Sequence, residues 1–271
     1  MNLQKCSRVH LQEPQITMNN YVTNAINLKS YNLNDADKII VLYSKEKGLI
    51  KGVAKGLKKP KSKLGARMDS LVANNLMMIK GRNMDKICQA QSLNTFKGIR
   101  EDMDKLIYSS YLSEIVANFG VEDDPSSEEI YELLYKALNR INTAKDRKEV
   151  LIAIIKFQLK FMLIQGFALE FDTCLCCREQ ILAEDMFISL QMGGVLCKEC
   201  NETFKVNLKL NHKVRDFFQA MLQFDFDYES DYDKKATDKI LDVCFNLLHK
   251  HIEAHSPQKF KSLKTLECVL V

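Results

Sequence analysis

Two periodicities divide the chain near residue 100. Before it, short apolar runs over 21–29, 38–44, 49–55, 70–80 and 84–93 are separated by breaks rich in Asn, Asp, Gly or Lys. Runs of this length and composition predict β-strands. Five of them in about 75 residues match the size of a five-stranded OB barrel, with an SH3-like barrel as the nearest competitor. After Arg100 the apolar residues return at spacings of three and four. Met103, Leu106, Ile107, Tyr111, Ile115 and Val116 predict a helix over 102–119. Leu133, Leu134, Ala137, Leu138 and Ile141 predict a second, opened by Ser126 and Glu129 in capping-box register. The stretch 147–165 is apolar around most of its circumference, which predicts the central helix of a bundle, stopped by Gly166. Further helices are predicted at 212–223 and 236–254. The expected fold class is α+β in two domains, a barrel at 18–100 and an α-helical domain at 101–271.

Charge sharpens that division. The whole chain of 271 residues carries only +4, yet residues 18–100 hold sixteen Lys or Arg against five Asp or Glu, and residues 101–271 are net acidic. A basic domain of this kind is the electrostatic footprint of a polyanion binder, although a solvated Lys-rich surface would read the same way. Between the third and fourth predicted strands lie Lys55, Lys58, Lys59, Lys61, Lys63 and Arg67, broken by Gly56, Pro60 and Ser62. The turn residues mark a loop, and six cations in thirteen residues make it a candidate phosphate-contacting arm. With Lys51 and Arg82 these form the candidate polyanion-binding set. Tyr21, Tyr31, Tyr43 and Phe96 are the only aromatics in the basic third, which predicts electrostatic more than stacking contacts.

The acidic part carries a different chemistry. Cys174 and Cys177 form one CxxC pair, Cys197 and Cys200 another, with nineteen residues between. Two such turns close a thiolate tetrahedron with no vacant position, the pattern of a structural zinc site. Cys176 is an alternative ligand, though the CxxC register favours Cys177. The isolated Cys6, Cys88, Cys244 and Cys268 read as buried free thiols. Nine cysteines, an odd count, and the absence of a signal-peptide pattern predict a reducing cytoplasm, where CxxC pairs signify metal or redox chemistry. Lys156, Gln158 and Lys160 interrupt the most apolar stretch, so no membrane span is expected. The acid–aromatic run 224–233 lacks the Gly and Glu of a calcium loop and reads as a solvated connection. His249, His251 and His255 read as cations capping a helix C-terminus.

Catalytic patterns are missing. Cys177-Arg178-Glu179 with Cys197 and Cys200 superficially mimics a zinc deaminase, but Leu196 stands where Pro belongs and Cys174 fills the position that water would need. The GxxxxGK[ST], GxSxG, HExxH and GxGxxG patterns are absent. The chain reads as a binding protein, not an enzyme, with no small-molecule substrate.

Gly48-Leu49-Ile50, Ala54-Lys55-Gly56 and Pro60-Lys61-Ser62, then Gly193-Gly194 before Cys197 and Cys200, then Phe260-Lys261-Ser262-Leu263, stand in an order that resembles the RecO family. The resemblance implies an OB fold, a helical domain with a zinc insert at 173–203, and one structural Zn2+ per chain. It further implies a mediator of recombinational DNA repair that binds single- and double-stranded DNA and anneals complementary strands. RecR and single-strand-binding protein are the implied partners, with RecA loaded indirectly, in the cytoplasm at the nucleoid. Residues 1–17 precede the usual family start, which makes Met18 a candidate initiator. Arg178 stands where members often have Gly. The competing reading is a protein-docking adaptor whose helical half does the work.

Overall fold

The structure, a computed structural model, describes residues 20–181, 185–206 and 208–263. The extension at 1–17, Met18, Cys6 and Cys268 lie outside the described residues. Strands β1 (Asn20–Asn32), β2 (Lys38–Ser44), β3 (Gly48–Ala54), β4 (Ala73–Ile79) and β5 (Asp85–Asn94) close into a barrel of order β1-β2-β3-β5-β4. All neighbours are antiparallel except β3 and β5, which run parallel and pair Gly52 with Asp85 and Val53 with Lys86. Ala25, Ile40, Leu42, Ile50, Leu76, Met78 and Ile87 fill the interior. Leu64 and Met68 join them from the segment between β3 and β4.

The helical part begins with the single turn α1 (Lys97–Arg100), followed by α2 (Met103–Phe119), α3 (Ser127–Thr143) and α4 (Arg147–Ile164). Asp102 and Asp146 cap α2 and α4 by accepting from the Lys105 and Glu149 N–H groups. The expected capping box at Ser126 does not form. Ser126 makes no side-chain cap, and the Asp124 carboxylate instead accepts its N–H at 2.8 Å. Every residue from Val150 to Leu159 is buried, so α4 is the central helix. Gly166, at φ +77°, ends it as only glycine does without strain.

A small sheet of order β7-β6-β8 carries the cysteine insert, with β6 at Asp185–Ser189, β7 at Gly194–Leu196 and β8 at Lys209–Asn211. Helix α5 (Lys198–Phe204) follows β7, and α6 (His212–Gln223) follows β8. Helices α7 (Asp231–Lys235) and α8 (Asp238–His255) close the described chain.

One apolar core joins the two halves. Alternate residues of β1 and β2 face the barrel interior, and the others, Ile26, Leu28, Val41 and Tyr43, belong to the core formed by α2, α3 and α4. The approach is close: a Cβ on Gly48, itself at φ +65°, would come within 2.5 Å of the Val121 carbonyl. Ion pairs ring the contact, from Lys45 to Glu128 and Glu132, Lys47 to Asp123 and Lys80 to Glu122.

Two expectations change in the acidic half. The run 224–233 is not merely a solvated connection, because Phe226, Ser230 and Asp233 are buried and a Ser230–Asp233 capping box opens α7. Asp233 accepts from Lys156 at 3.2 Å, and that buried ammonium also donates to the Asp225 and Tyr228 carbonyls. The histidines are not a capping cluster either. His251 is buried and its Nε2 lies 2.8 Å from the Phe167 carbonyl, while His249 Nδ1 meets the Tyr111 hydroxyl at 3.0 Å. Burial pushes the His251 pKa down, against the Phe167 carbonyl at Nε2 and the Leu190 carbonyl 3.3 Å from Nδ1, which pull it up. Only His255 occupies the last turn of α8.

Lys156→Ala is expected to destabilise the protein by about 3–5 kcal/mol, because it strands the buried Asp233 carboxylate. A Lys156→Met, Asp233→Leu double variant removes the stranded charge and recovers part of that loss, the Ser230–Asp233 capping box staying broken. Urea unfolding followed by circular dichroism checks both.

Candidate metal centre and nucleic-acid face

The four candidate ligand cysteines are brought together by two tight turns. Cys174 lies after a turn shaped by the Glu170 carboxylate, which accepts the Asp172 and Thr173 N–H groups. Arg178 donates its N–H to the Cys174 carbonyl at 2.9 Å with φ +65°, closing the first knuckle. That left-handed conformation is the physical reason a glycine suits the position, and the arginine costs about 1 kcal/mol there. The second knuckle grows from the β6–β7 turn. Gly193 sits at φ +79°, and a Cβ on Gly194 would lie 2.8 Å from the Glu170 carbonyl. Cys197 then caps α5, its Sγ accepting the Cys200 N–H at 3.4 Å.

The four Sγ atoms of Cys174, Cys177, Cys197 and Cys200 all lie within 4.8 Å of one another. A tetrahedral site with metal–sulfur bonds of about 2.3 Å needs sulfur edges of about 3.8 Å, and Cys177 to Cys197 measures 3.9 Å. The donor set therefore fits a closed structural metal site. Cys176 and Cys177 are both exposed, and it is Cys177 whose Sγ falls in the four-atom cluster. Burial opposes ionisation of Cys174, but the N–H groups of Cys197, Cys177 and Cys176 outweigh it and pull the thiol down to about 6. Of the isolated thiols, Cys244 is buried as expected. Cys88 is not a core thiol: it is half-buried beside the basic loop.

Lys51, Lys55, Lys58, Lys59, Lys61, Lys63, Arg67 and Arg82 are all exposed. None of the eight enters an ion pair among the described residues, whereas the barrel lysines turned toward the helices do. The eight are not one cluster. Lys55, Lys59, Lys61 and Lys63 line a single groove of about 390 Å³ together with Lys86. Lys58 turns back to the Asn34 carbonyl, and Arg67 to the Lys63 carbonyl. Lys51 stands in the middle of β3. Arg82 lies on the β4–β5 turn, toward the start of β3, while the loop leaves its end. The sequence pattern missed Lys86, since only the parallel pairing of β3 with β5 carries it to the loop. Aromatic platforms are scarce: of the four in the basic third, Tyr43 and Phe96 are buried, the Tyr21 hydroxyl is held by Asp85 at 2.5 Å, and only Tyr31 is exposed.

A barrel whose outer cations make no ion pair among the described residues is joined to a helical body that holds four clustered cysteines. Residues 18–96 match the family model described as "Recombination protein O N terminal", and residues 100–264 match "Recombination protein O C terminal". The chain belongs to the RecO family, as the motifs implied. The protein named DNA repair protein RecO of Synechococcus sp. (strain JA-2-3B'a(2-13)) is 33% identical over 189 residues, 66% of each chain. Its namesake in Gloeobacter violaceus is 27% identical over 253 residues, 91% of this chain and 92% of its own. That of Desulforamulus reducens is 28% identical over 247 residues, 91% of this chain and 94% of its own. No helix among the described residues is long and apolar enough to cross a membrane.

Protein purified without chelator is expected to carry one tightly held metal ion per chain. Cys197→Ser should abolish it and raise hydrogen exchange across 173–203 while leaving the barrel strands protected. Metal analysis together with exchange mass spectrometry reads both effects.

Proposed function

We propose that this chain is a non-catalytic DNA-binding mediator of recombinational DNA repair. The observation that carries the reading is the division of the barrel's cations. Those facing the helices are neutralised by carboxylates, and the eight on the remaining surface are exposed without an ion pair among the described residues. An OB-type barrel with such a surface binds single- and double-stranded DNA through phosphates, which fix position without reading sequence. Screening of phosphate repulsion raises the encounter rate of complementary strands. The shortage of exposed aromatics leaves base edges free to pair, so the protein anneals strands without nucleotide hydrolysis. The four-cysteine knuckle holds Zn2+ as a structural ion, and the protein acts in the cytoplasm at the nucleoid.

The helical half is then free for protein partners, the family's RecR and single-strand-binding protein, through which RecA is loaded. One groove favours such docking. Leu133, Leu163, Ile164, Leu222 and Phe226 line a cavity of about 370 Å³ whose rim carries Glu129, Glu132 and Asp225 beside Lys136 and Lys160, with Lys136 paired to Asp225, so the apolar floor and not a net charge is what favours a partner's apolar side chains. An adaptor that worked through this groove alone would not need the unpaired barrel cations.

Neutralising Lys55, Lys58, Lys59, Lys61, Lys63 and Arg67 to Gln separates the readings. Each cation–phosphate pairing removed should reduce the log–log salt slope by about 0.7–0.9. Unchanged affinity and slope would leave the adaptor. Annealing of complementary strands by the unaltered chain is expected to proceed without ATP and to weaken as salt shortens the screening length. A fluorescence-quenching annealing assay across a salt series measures it.

A further inference from the structure

The basic segment is fastened at both ends, so the groove it forms is a built concavity. At its start the Asp37 carboxylate accepts the Gly56 N–H at 2.7 Å, and Lys58 donates its N–H to the Ala36 carbonyl. At its end two fully buried amides hold the chain. Asn27 donates to the Arg67 and Asp69 carbonyls, each at 2.8 Å, and Asn74 donates to the Arg67 carbonyl at 2.8 Å. Ser92 in turn donates to Asn74 Oδ1 at 3.1 Å. Leu64 and Met68 are anchored in the barrel core.

Five lysines line this one groove, Lys55, Lys59, Lys61, Lys63 and Lys86, and no Asp or Glu lines it. Asp37 is within electrostatic reach of Lys55 and Lys59, but its carboxylate accepts the Gly56 and Asn34 N–H groups, which with those charges hold its pKa below the usual range. A volume of about 390 Å³ lies within the roughly 300–1,000 Å³ of small-ligand pockets. Phosphodiesters carry one charge each, and each strand of a duplex places one per about 3.4 Å of helix axis, a line that a strip of cations would match. A concave cluster instead focuses positive potential on one point. The group that fits is a phosphomonoester, which carries about −1.5 to −2 at neutral pH and presents three acceptor oxygens. Each lysine offers three donors, and the Ser62 hydroxyl in the same groove, which accepts the Gly65 N–H at 3.4 Å, keeps its proton to donate.

We propose that this groove receives the phosphomonoester at the end of a DNA strand in preference to an internal run of phosphodiesters. The inference rests on the DNA-binding reading above and adds the ligand's chemistry to it. The protein would then sit preferentially at strand termini, with Lys51 and Arg82 contacting the backbone that leads away.

The test uses the full chain and fluorescence anisotropy on single strands of one sequence bearing a 5′-phosphate, a 3′-phosphate or hydroxyls at both ends. A phosphorylated end should tighten binding about fivefold, the effect of one added charge near 4 Å in water, and comparison of the two phosphorylated strands assigns the polarity. A Lys59→Gln, Lys86→Gln variant should lose that ratio, while Arg82→Gln weakens all strands alike and preserves it. Both substitutions lie on exposed side chains, and circular dichroism confirms the fold. Equal affinity for phosphorylated and hydroxyl ends, with DNA binding intact, overturns the end-recognition proposal alone. Loss of binding to every strand overturns the DNA-binding reading with it.

Discussion

The double burial of β1 and β2 is the constraint on which the rest of the molecule depends. One set of alternate residues fills the barrel, and the other set, Ile26, Leu28, Val41 and Tyr43, is held by α2, α3 and α4. β2, buried on both faces, accordingly reads as the continuous apolar run Ile39-Ile40-Val41-Leu42-Tyr43, while β1 keeps buried polar residues at Thr23 and Asn27. The consequence for function is directional. With this side of the barrel committed to the helices, only the surface that remains is open to a ligand. The ion pairs around Lys45, Lys47 and Lys80 mark the border between the two.

Much of this was legible in the sequence. The five strand runs lie within a few residues of the observed strands, and the helix at 212–223 coincides with α6. CxxC spacing selected the four clustered thiols, because a metal's ligands are set by short local turns. What the local pattern does not carry is non-local. Lys86 reaches the basic groove only through a parallel strand pair between residues some thirty apart. Lys156 read as an interruption of an apolar helix, whereas it is buried against Asp233 from a segment that composition marked as solvated. Ser126 shows the limit of a local motif, since the backbone of Asp123 and Asp124, tied to the barrel near Lys47, fixes the entry to α3 before a capping box can form.

Polar groups have specific roles inside an otherwise apolar body. Gln158 in α4 donates to the Tyr111 hydroxyl, and His251 in α8 bonds the carbonyl of Phe167, just past the end of α4. Each contact has a directional partner, so each fixes helix register where apolar packing alone would tolerate sliding. The cysteine insert is bound into the same body through Cys174, Ile181, Met186, Ile188, Val195 and Leu196, which belong to the main core. A metal ion there would brace a surface of that core without touching the barrel.

The parallel pairing of β3 with β5 spans only two residue pairs, Gly52 with Asp85 and Val53 with Lys86. It is the shortest seam of the barrel, and there a Cβ on Gly52 would lie 2.7 Å from the Ile87 side chain. The same seam sets the distance between Lys86 and the lysines of the loop. Closing the cylinder and assembling the cationic groove are thus one mechanical event, and a barrel sprung along this line would scatter its charges as it opened.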